Sequence, residues 1–251
     1  MTMTGTPLAP WRSALDRTSA MRLAATEYQR VADQLRSLTN EQWAAPTDCP
    51  GWDVRAMAGH MLGMAEMAAS VRENARQGKA AGARGGVFID ALTGLQVEEH
   101  AHLTTAQLVA RWIEVAPKAA KGRKRAPFFI RRRTMPVPQH VNGVDEPWTI
   151  GYLVDVILTR DPWMHRTDIA RTTGADLVLT PDHDGVLVDD VVREWAARHG
   201  QPCSLRLSGP AGGAWTFGAG GPSLELDAVD FCRTVSGRGH ADGLLTTEVP
   251  F

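Results

Sequence analysis

Two histidines and one aspartate are the side chains best placed by type and spacing to hold a metal ion. In Arg160-Asp161-Pro162-Trp163-Met164-His165, the aspartate and the histidine lie four residues apart. On a helix that spacing puts both on one face about a turn apart, so the pair can chelate a single ion. His60 shares a helical face with Met57, Met61 and Met64. It therefore points into an apolar core, where an imidazole is costly unless it finds a partner. One histidine from a second helix would complete a three-ligand site with positions open to water or a thiol, as in other helical bundles. Asp168 and Asp155 are carboxylates that could orient a ligating imidazole.

Each of these residues also has a plainer role open to it. His60 can be a core histidine bonded to a carbonyl or carboxylate. Asp161 followed by Pro162 can be an N-cap with proline in the first helical position. Cys49 precedes a helix start, but no partnering base is evident, and it reads as structural. Trp52 and Trp163 flank the candidate ligands as pocket walls or core. His100, His102, His140, His183, His199 and His240 fall in polar or loop segments and are not ligand candidates.

The elements that must position these residues are mostly helical. Apolar periodicity predicts a helix over 21–38, then a short turn near 39–43 and a rigid Pro-Gly loop over 46–52. Asp53 is the N-cap of a helix from Val54 to about Gln77. A glycine-rich break over 78–86 precedes a weaker helix over 87–99. Thr104 or Thr105 caps another that ends near Ala119. An extended connection over 136–147 leads into a long helical segment over 148–173, interrupted at Pro162 and stopped by Gly174 at its C′ position. Beyond Gly174 short alternating stretches at 177–179, 205–208, 214–217 and 223–226 read as strands. A helix over 181–198 lies between the first two, and Asp227 caps a last helix to about Val235. The expected organisation is a poorly ordered tail over 1–18, a helical bundle over 19–174 and a small α+β domain over 175–251.

Composition narrows the partners. The 251 residues carry 27 basic and 28 acidic side chains, a net charge of −1. So balanced a chain has no field that favours nucleic acid or an anionic membrane. Seven of the thirteen residues in Lys121–Arg133 are Lys or Arg, interrupted by Pro127-Phe128-Phe129-Ile130. That run reads as a solvated loop between helices, or as a basic rim that attracts an anionic substrate or cofactor. Three widely spaced cysteines give no disulfide framework and fit a reducing cytoplasm. No signal-peptide pattern opens the chain, and no uncharged apolar run reaches the ~18 residues a membrane span needs. Alanine-, arginine- and glycine-rich, lysine-poor usage is that of a GC-rich bacterial genome.

The block Thr47-Asp48-Cys49-Pro50-Gly51-Trp52-Asp53-Val54-Arg55 through His60 resembles the signature of the mycothiol-dependent maleylpyruvate isomerase family. That family belongs to the wider DinB-like metal-binding four-helix bundles. Arg160 through Ala170 resembles its second block, about 100 residues on. Asp227–Arg238 (DAVDFCRTVSGR) matches the last helix of its C-terminal α+β domain. The resemblance implies an actinobacterial, cytoplasmic enzyme, monomer or homodimer, with a zinc or other divalent ion held by His60, Asp161 and His165. The family carboxylate is Glu, where this chain has Asp, shorter by one methylene. Mycothiol is the implied cosubstrate. Its zinc-bound thiolate would add to an activated C=C bond of a small electrophile and leave again, an isomerisation, or stay, an S-transfer. The resemblance also implies an arginine of the C-terminal domain for substrate carboxylates. Arg233 and Arg238 are the candidates, with Arg238, beside Gly237, favoured over the plainer reading of a surface arginine at a helix end. Two other classes remain open: a zinc hydrolase or lyase in which metal-bound water reacts, and a non-catalytic metal- or small-molecule-binding module. The lack of an HExxH-type base disfavours the first, and retention of all three ligands disfavours the second.

Overall fold

A computed structural model describes residues 9–251. The fold is α plus α+β, and by internal contacts the chain divides into two compact units. One comprises Thr18–Ala126 and Leu158–Val178; the other comprises Pro127–Ile157, Leu179–Phe251 and the segment up to Arg17. The second unit thus draws in residues 127–157, whereas the sequence reading places a single boundary at 174/175.

The helical unit contains α1 (Arg17–Ser37), α2 (Asn40–Trp43), α3 (Val54–Ala69), α4 (Val71–Arg84), α5 (Phe88–His100) and α6 (Thr105–Arg125). Its core joins Val31 and Leu35 of α1, Met57 and Met61 of α3, and Leu108, Trp112 and Val115 of α6. Trp112 is fully enclosed, and its indole N–H donates to Tyr28 O at 2.9 Å, which removes the cost of burying that group. Local chemistry fixes the helix starts. Thr39 with Gln42, and Thr104 with Gln107, form reciprocal capping boxes. Asp53 accepts from Ala56 N at 2.7 Å.

Two expected helix ends move. The helix that begins at Val54 stops at Ala69, because Ser70 adopts extended backbone and caps α4 through Glu73 N. The helix α6 continues to Arg125, so the first half of the basic run is helical rather than a loop. Gly122 makes the continuation possible: a Cβ there would fall 2.0 Å from Ala68 O of α3.

In the second unit, α7 (Phe128–Arg131) is followed by β1 (Gln139–Val141) and β2 (Val144–Glu146), then α8 (Ile150–Tyr152) and a π-helical stretch Leu153–Ile157. In place of the expected extended connection there is a hairpin, turned by Asn142 and Gly143, both at positive φ. In the helical unit α9 (Leu158–Thr173) follows, with Gly174 at φ +67° beyond its end. The α+β part then adds a π-helical turn Pro181–Gly185, α10 (Val186–His199), β3 (Cys203–Ser208), β4 (Gly213–Phe217), β5 (Ser223–Asp227) and α11 (Ala228–Val235). The sheet order is β4-β3-β5, with β3 antiparallel to β4 and parallel to β5.

No strand forms at 177–179. The carbonyl of Val178 accepts instead from Arg30 Nη1 (3.1 Å) and Arg166 Nη1 (3.0 Å), so guanidinium groups occupy what a ladder would use. Residues 1–8 of the expected tail lie outside the described residues. From Trp11 onward the segment is tied down: its backbone pairs with Pro147 and Thr149, and its indole N–H donates to Glu146 at 2.7 Å. No helix among the described residues is long and apolar enough to cross a membrane.

Candidate metal centre

His60 lies two turns into α3, and its place follows from the helix start. The loop before α3 is closed by Thr47, whose hydroxyl and backbone N–H both donate to Trp52 O at 2.9 Å. The Asp53 cap then sets the rotation of α3, which turns Met57, His60 and Met61 inward; all three are buried. Asp161 and His165 sit one turn apart on α9.

Asp161 is not an N-cap. Pro162 lies inside α9, not at its start. Lacking an N–H, it leaves the carbonyl four residues back, Leu158 O, without its helical partner. Arg123 supplies the missing donor: its Nη1 reaches Leu158 O at 2.8 Å, and its Nη2 donates to Thr159 Oγ1 at 2.5 Å. The helix therefore runs through the proline, and Asp161 is carried to the inner face.

The three side chains converge. One nitrogen of His60, one of His165 and one carboxylate oxygen of Asp161 all lie within 4.8 Å of one another. Both His60 Nε2 and His165 Nε2 are 3.4 Å from the same atom, Asp161 Oδ1. A tetrahedral zinc with bonds of about 2.0–2.2 Å requires ligand atoms about 3.3–3.6 Å apart. Both histidine–aspartate pairs meet that spacing and the third pair lies within 4.8 Å, so the shorter aspartate side chain is long enough for a three-ligand site. The rings stand at 89° with centroids 5.3 Å apart, so their Nε2 lone pairs approach the carboxylate from different directions. Trp52 packs against both rings, at 5.2 Å and 6.4 Å. The histidines are almost sealed, with side-chain exposures of 4% and 7%, whereas Asp161 keeps 17%, which leaves the carboxylate side reachable.

The far nitrogens differ: that of His60 is hydrogen-bonded, as a ligating imidazole requires, whereas that of His165 lies near a carboxylate without a hydrogen bond to it. His60 Nδ1 is 2.8 Å from Gln96 Oε1 of α5, and His165 Nδ1 is 3.5 Å from Asp168 Oδ2. Burial alone would raise the Asp161 carboxyl, but the two imidazoles outweigh it and hold the group well below the usual carboxylate range. Burial likewise opposes charge on His165, yet Asp161, with help from Asp168 and Cys49, raises its pKa well above the ordinary histidine value. An acidic group and a basic group are thereby driven toward their charged forms around one point.

Of the two carboxylates expected to orient an imidazole, only Asp168 lies beside one, 3.5 Å from His165 Nδ1. Asp155 belongs to the other unit, where it pairs with Arg131 and, at 3.9 Å, with Arg17. Gln96 was missed by the sequence reading: it lies on a weakly patterned helix, and nothing local marks it. Cys49 does have a base nearby. Its Sγ lies within 4.8 Å of a His165 nitrogen and an Asp168 oxygen. Within the α+β unit, Arg233 is buried in α11, while Arg238 lines a pocket of about 200 Å³ with His140, Trp148 and Glu248.

A profile of the mycothiol maleylpyruvate isomerase N-terminal domain matches residues 24–170, more than half of the chain. The chain belongs to this family. Two solved structures are similar to it over nearly its whole length. A mycothiol-dependent maleylpyruvate isomerase aligns with a TM-score of 0.57 at 16% identity, over 94% of this chain and 95% of the other. A histidine-to-alanine mutant of such an isomerase aligns with a TM-score of 0.53 at 15% identity, with the same coverage. At that identity the likeness speaks for the fold. No curated protein sequence matches. For a member of the mycothiol maleylpyruvate isomerase N-terminal domain family, the matched segment contains His60, Asp161 and His165, and the elements that carry them.

Proposed function

We propose that this chain is a mycothiol-dependent enzyme of small electrophilic metabolites, an isomerase or S-transferase, whose divalent metal, zinc, is held by His60, Asp161 and His165. The observation that carries the reading is the placement of two nearly buried imidazole nitrogens at 3.4 Å from one carboxylate oxygen. Bound there, zinc would lower the pKa of a thiol entering its open position, so that the thiolate is available at neutral pH.

The chain's own residues set the terms of that chemistry. His60 and His165 contribute neutral donors and Asp161 a single negative charge, so the donor set leaves part of a dication's charge uncompensated and favours an anionic sulfur. Asp168 places a carboxylate 3.5 Å from His165 Nδ1, and Trp52 screens both imidazoles from water on one side. Addition of the thiolate to an activated C=C bond leaves a single bond about which the substrate can turn. Expulsion of the thiolate from the resulting carbanion then gives the geometric isomer, and retention with protonation of that carbanion by solvent gives the S-conjugate. For a substrate carboxylate we favour Arg238 over Arg233, because Arg238 lines a pocket whereas Arg233 is buried in α11. Three cysteines outside any disulfide suit a reducing cytoplasm, the compartment in which we place the protein.

A turnover screen of cis-configured and other small electrophiles, run with and without mycothiol, tests the proposal. Conversion only in the presence of the thiol is the expected result. Hydrolytic turnover that needs no thiol, or no turnover under either condition, would contradict it.

A further inference from the structure

We infer that Gln96 is a positioning residue that fixes His60 in the tautomer presenting Nε2 toward the Asp161 carboxylate, and that Gln77 fixes Gln96. The inference rests on the proposed metal site and extends it to a buried chain of amides on α4 and α5. Gln96 and Gln77 are both fully enclosed. A buried amide left unpaired is costly, so the direction of every hydrogen bond in the chain matters.

That direction can be worked out from groups that only accept. The Gln77 amide nitrogen faces Gly63 O at 3.3 Å and Glu73 Oε1 at 3.0 Å. A carbonyl and a carboxylate cannot donate, so the NH2 end of Gln77 must point at them. Glu73 is itself held as an acceptor by Arg76, whose Nε lies 3.0 Å from both of its oxygens. Gln77 Oε1 is therefore turned toward Gln96, where it accepts from Nε2 at 2.9 Å. The same Gln96 nitrogen faces Met64 Sδ at 3.2 Å and Met67 Sδ at 3.3 Å, two weak acceptors. A flipped Gln96 amide would aim its oxygen at three acceptors at once. Its oxygen must consequently face His60 Nδ1, at 2.8 Å, and can only accept there. A neutral, ligating His60 then carries its proton on Nδ1, which leaves the Nε2 lone pair for an ion held beside Asp161.

Room for this arrangement comes from α3 itself. A Cβ on Gly63 would lie 2.4 Å from Gln96 Cγ, so only glycine at that position, one turn beyond His60, lets Gln96 pass across the helix to the imidazole.

Competition with a chelator for Zn2+ tests the inference in four proteins: wild type, Gln96→Met, His60→Ala and the double variant. Gln96→Met should weaken zinc binding about 10- to 100-fold when His60 is present, the usual effect of removing a partner of a ligating imidazole. In the His60→Ala background the same change should cost nothing further. Unchanged affinity in the first comparison overturns the inference, and so does an equal loss in both backgrounds, which would mark a general packing effect. Should Gln96→Met fail to fold, Gln77→Met carries the same cycle. It leaves the Gln96 side chain in place but free to flip, and a smaller loss that again depends on His60 is expected. A wild-type chain that takes up no zinc defeats the metal-site reading together with the inference. Zinc uptake with Gln96→Met unaffected defeats the inference alone.

Discussion

The site is built from residues whose protons and a metal would compete for the same atoms. His165 is raised well above the ordinary histidine pKa, so near neutral pH its proton must leave before the nitrogen can ligate. Zinc affinity should therefore rise with pH across the neutral range, by up to about tenfold per pH unit for each proton released. Chelator competition at a series of pH values checks this. A flat profile would mean the imidazoles are not the ligands. In the metal-free protein the sign runs differently for the two groups. The raised His165 adds stability below the unfolded histidine pKa of 6.5, stability that is lost as pH climbs through its folded value. The lowered Asp161 adds stability above its unfolded value of 3.8, lost as pH falls toward its folded one. Both contributions coexist in mildly acidic solution. Asp161→Asn keeps the shape and removes the charge that raises His165, and it should weaken zinc binding by about tenfold or more. At this scale the three converging side chains were legible because i,i+4 spacing and a shared helix face are local properties. Gln96 and Arg123 were not, because each acquires its role only when a second helix brings it to its partner.

Among the elements, α9 is the one whose integrity the site most requires. Its proline is tolerated because Arg123 satisfies Leu158 O. Arg123→Met should leave that carbonyl without a donor and destabilise the protein by about 1–3 kcal/mol in urea unfolding. Adding Pro162→Ala supplies an N–H to the same carbonyl and should return part of the loss. Full additivity of the two changes would show that Arg123 does not act through Leu158. Gly122→Ala probes the close approach of α6 to α3. Its Cβ would collide with backbone rather than a movable side chain, and a loss of about 1–3 kcal/mol is expected. Caps at Asp53, Thr104 and Asp227 were readable from single residues, since each cap is a bond between near neighbours. The strand expected at 177–179 failed for the opposite reason: strand formation needs a partner, and the Val178 carbonyl was taken by Arg30 and Arg166 from α1 and α9. The Asn142-Gly143 turn was a readable hairpin signal masked by flanking prolines.

Over the whole molecule, the composition and order of elements announced helices first and a mixed α/β part after them, and that is the architecture found. The part that could not be read is the recruitment of 127–157 into the second unit. It depends on Glu146, whose buried carboxylate accepts from the Trp11 and Trp148 indoles, both at 2.7 Å, and pairs with Arg198 at 2.9 Å. These partners are 135, 2 and 52 residues away in sequence, so no window reveals them. Glu146→Ala strands a buried arginine and two indole N–H groups. Because Glu194 also pairs with Arg198 at 2.7 Å, the cost should fall near the lower end of the range for breaking a buried pair, about 3 kcal/mol in chemical denaturation. A loss below about 0.5 kcal/mol would show that the hub contributes only what a surface pair does.

The metal content of the purified chain tests the proposed site most directly. Elemental analysis should find about one zinc or similar divalent ion per chain in the wild type, as one set of three ligands requires. The His60→Ala/His165→Ala double variant, folded by circular dichroism, should have lost it. A double variant that keeps full occupancy, or a wild type that binds no such ion, would contradict the claim that these residues form a metal centre.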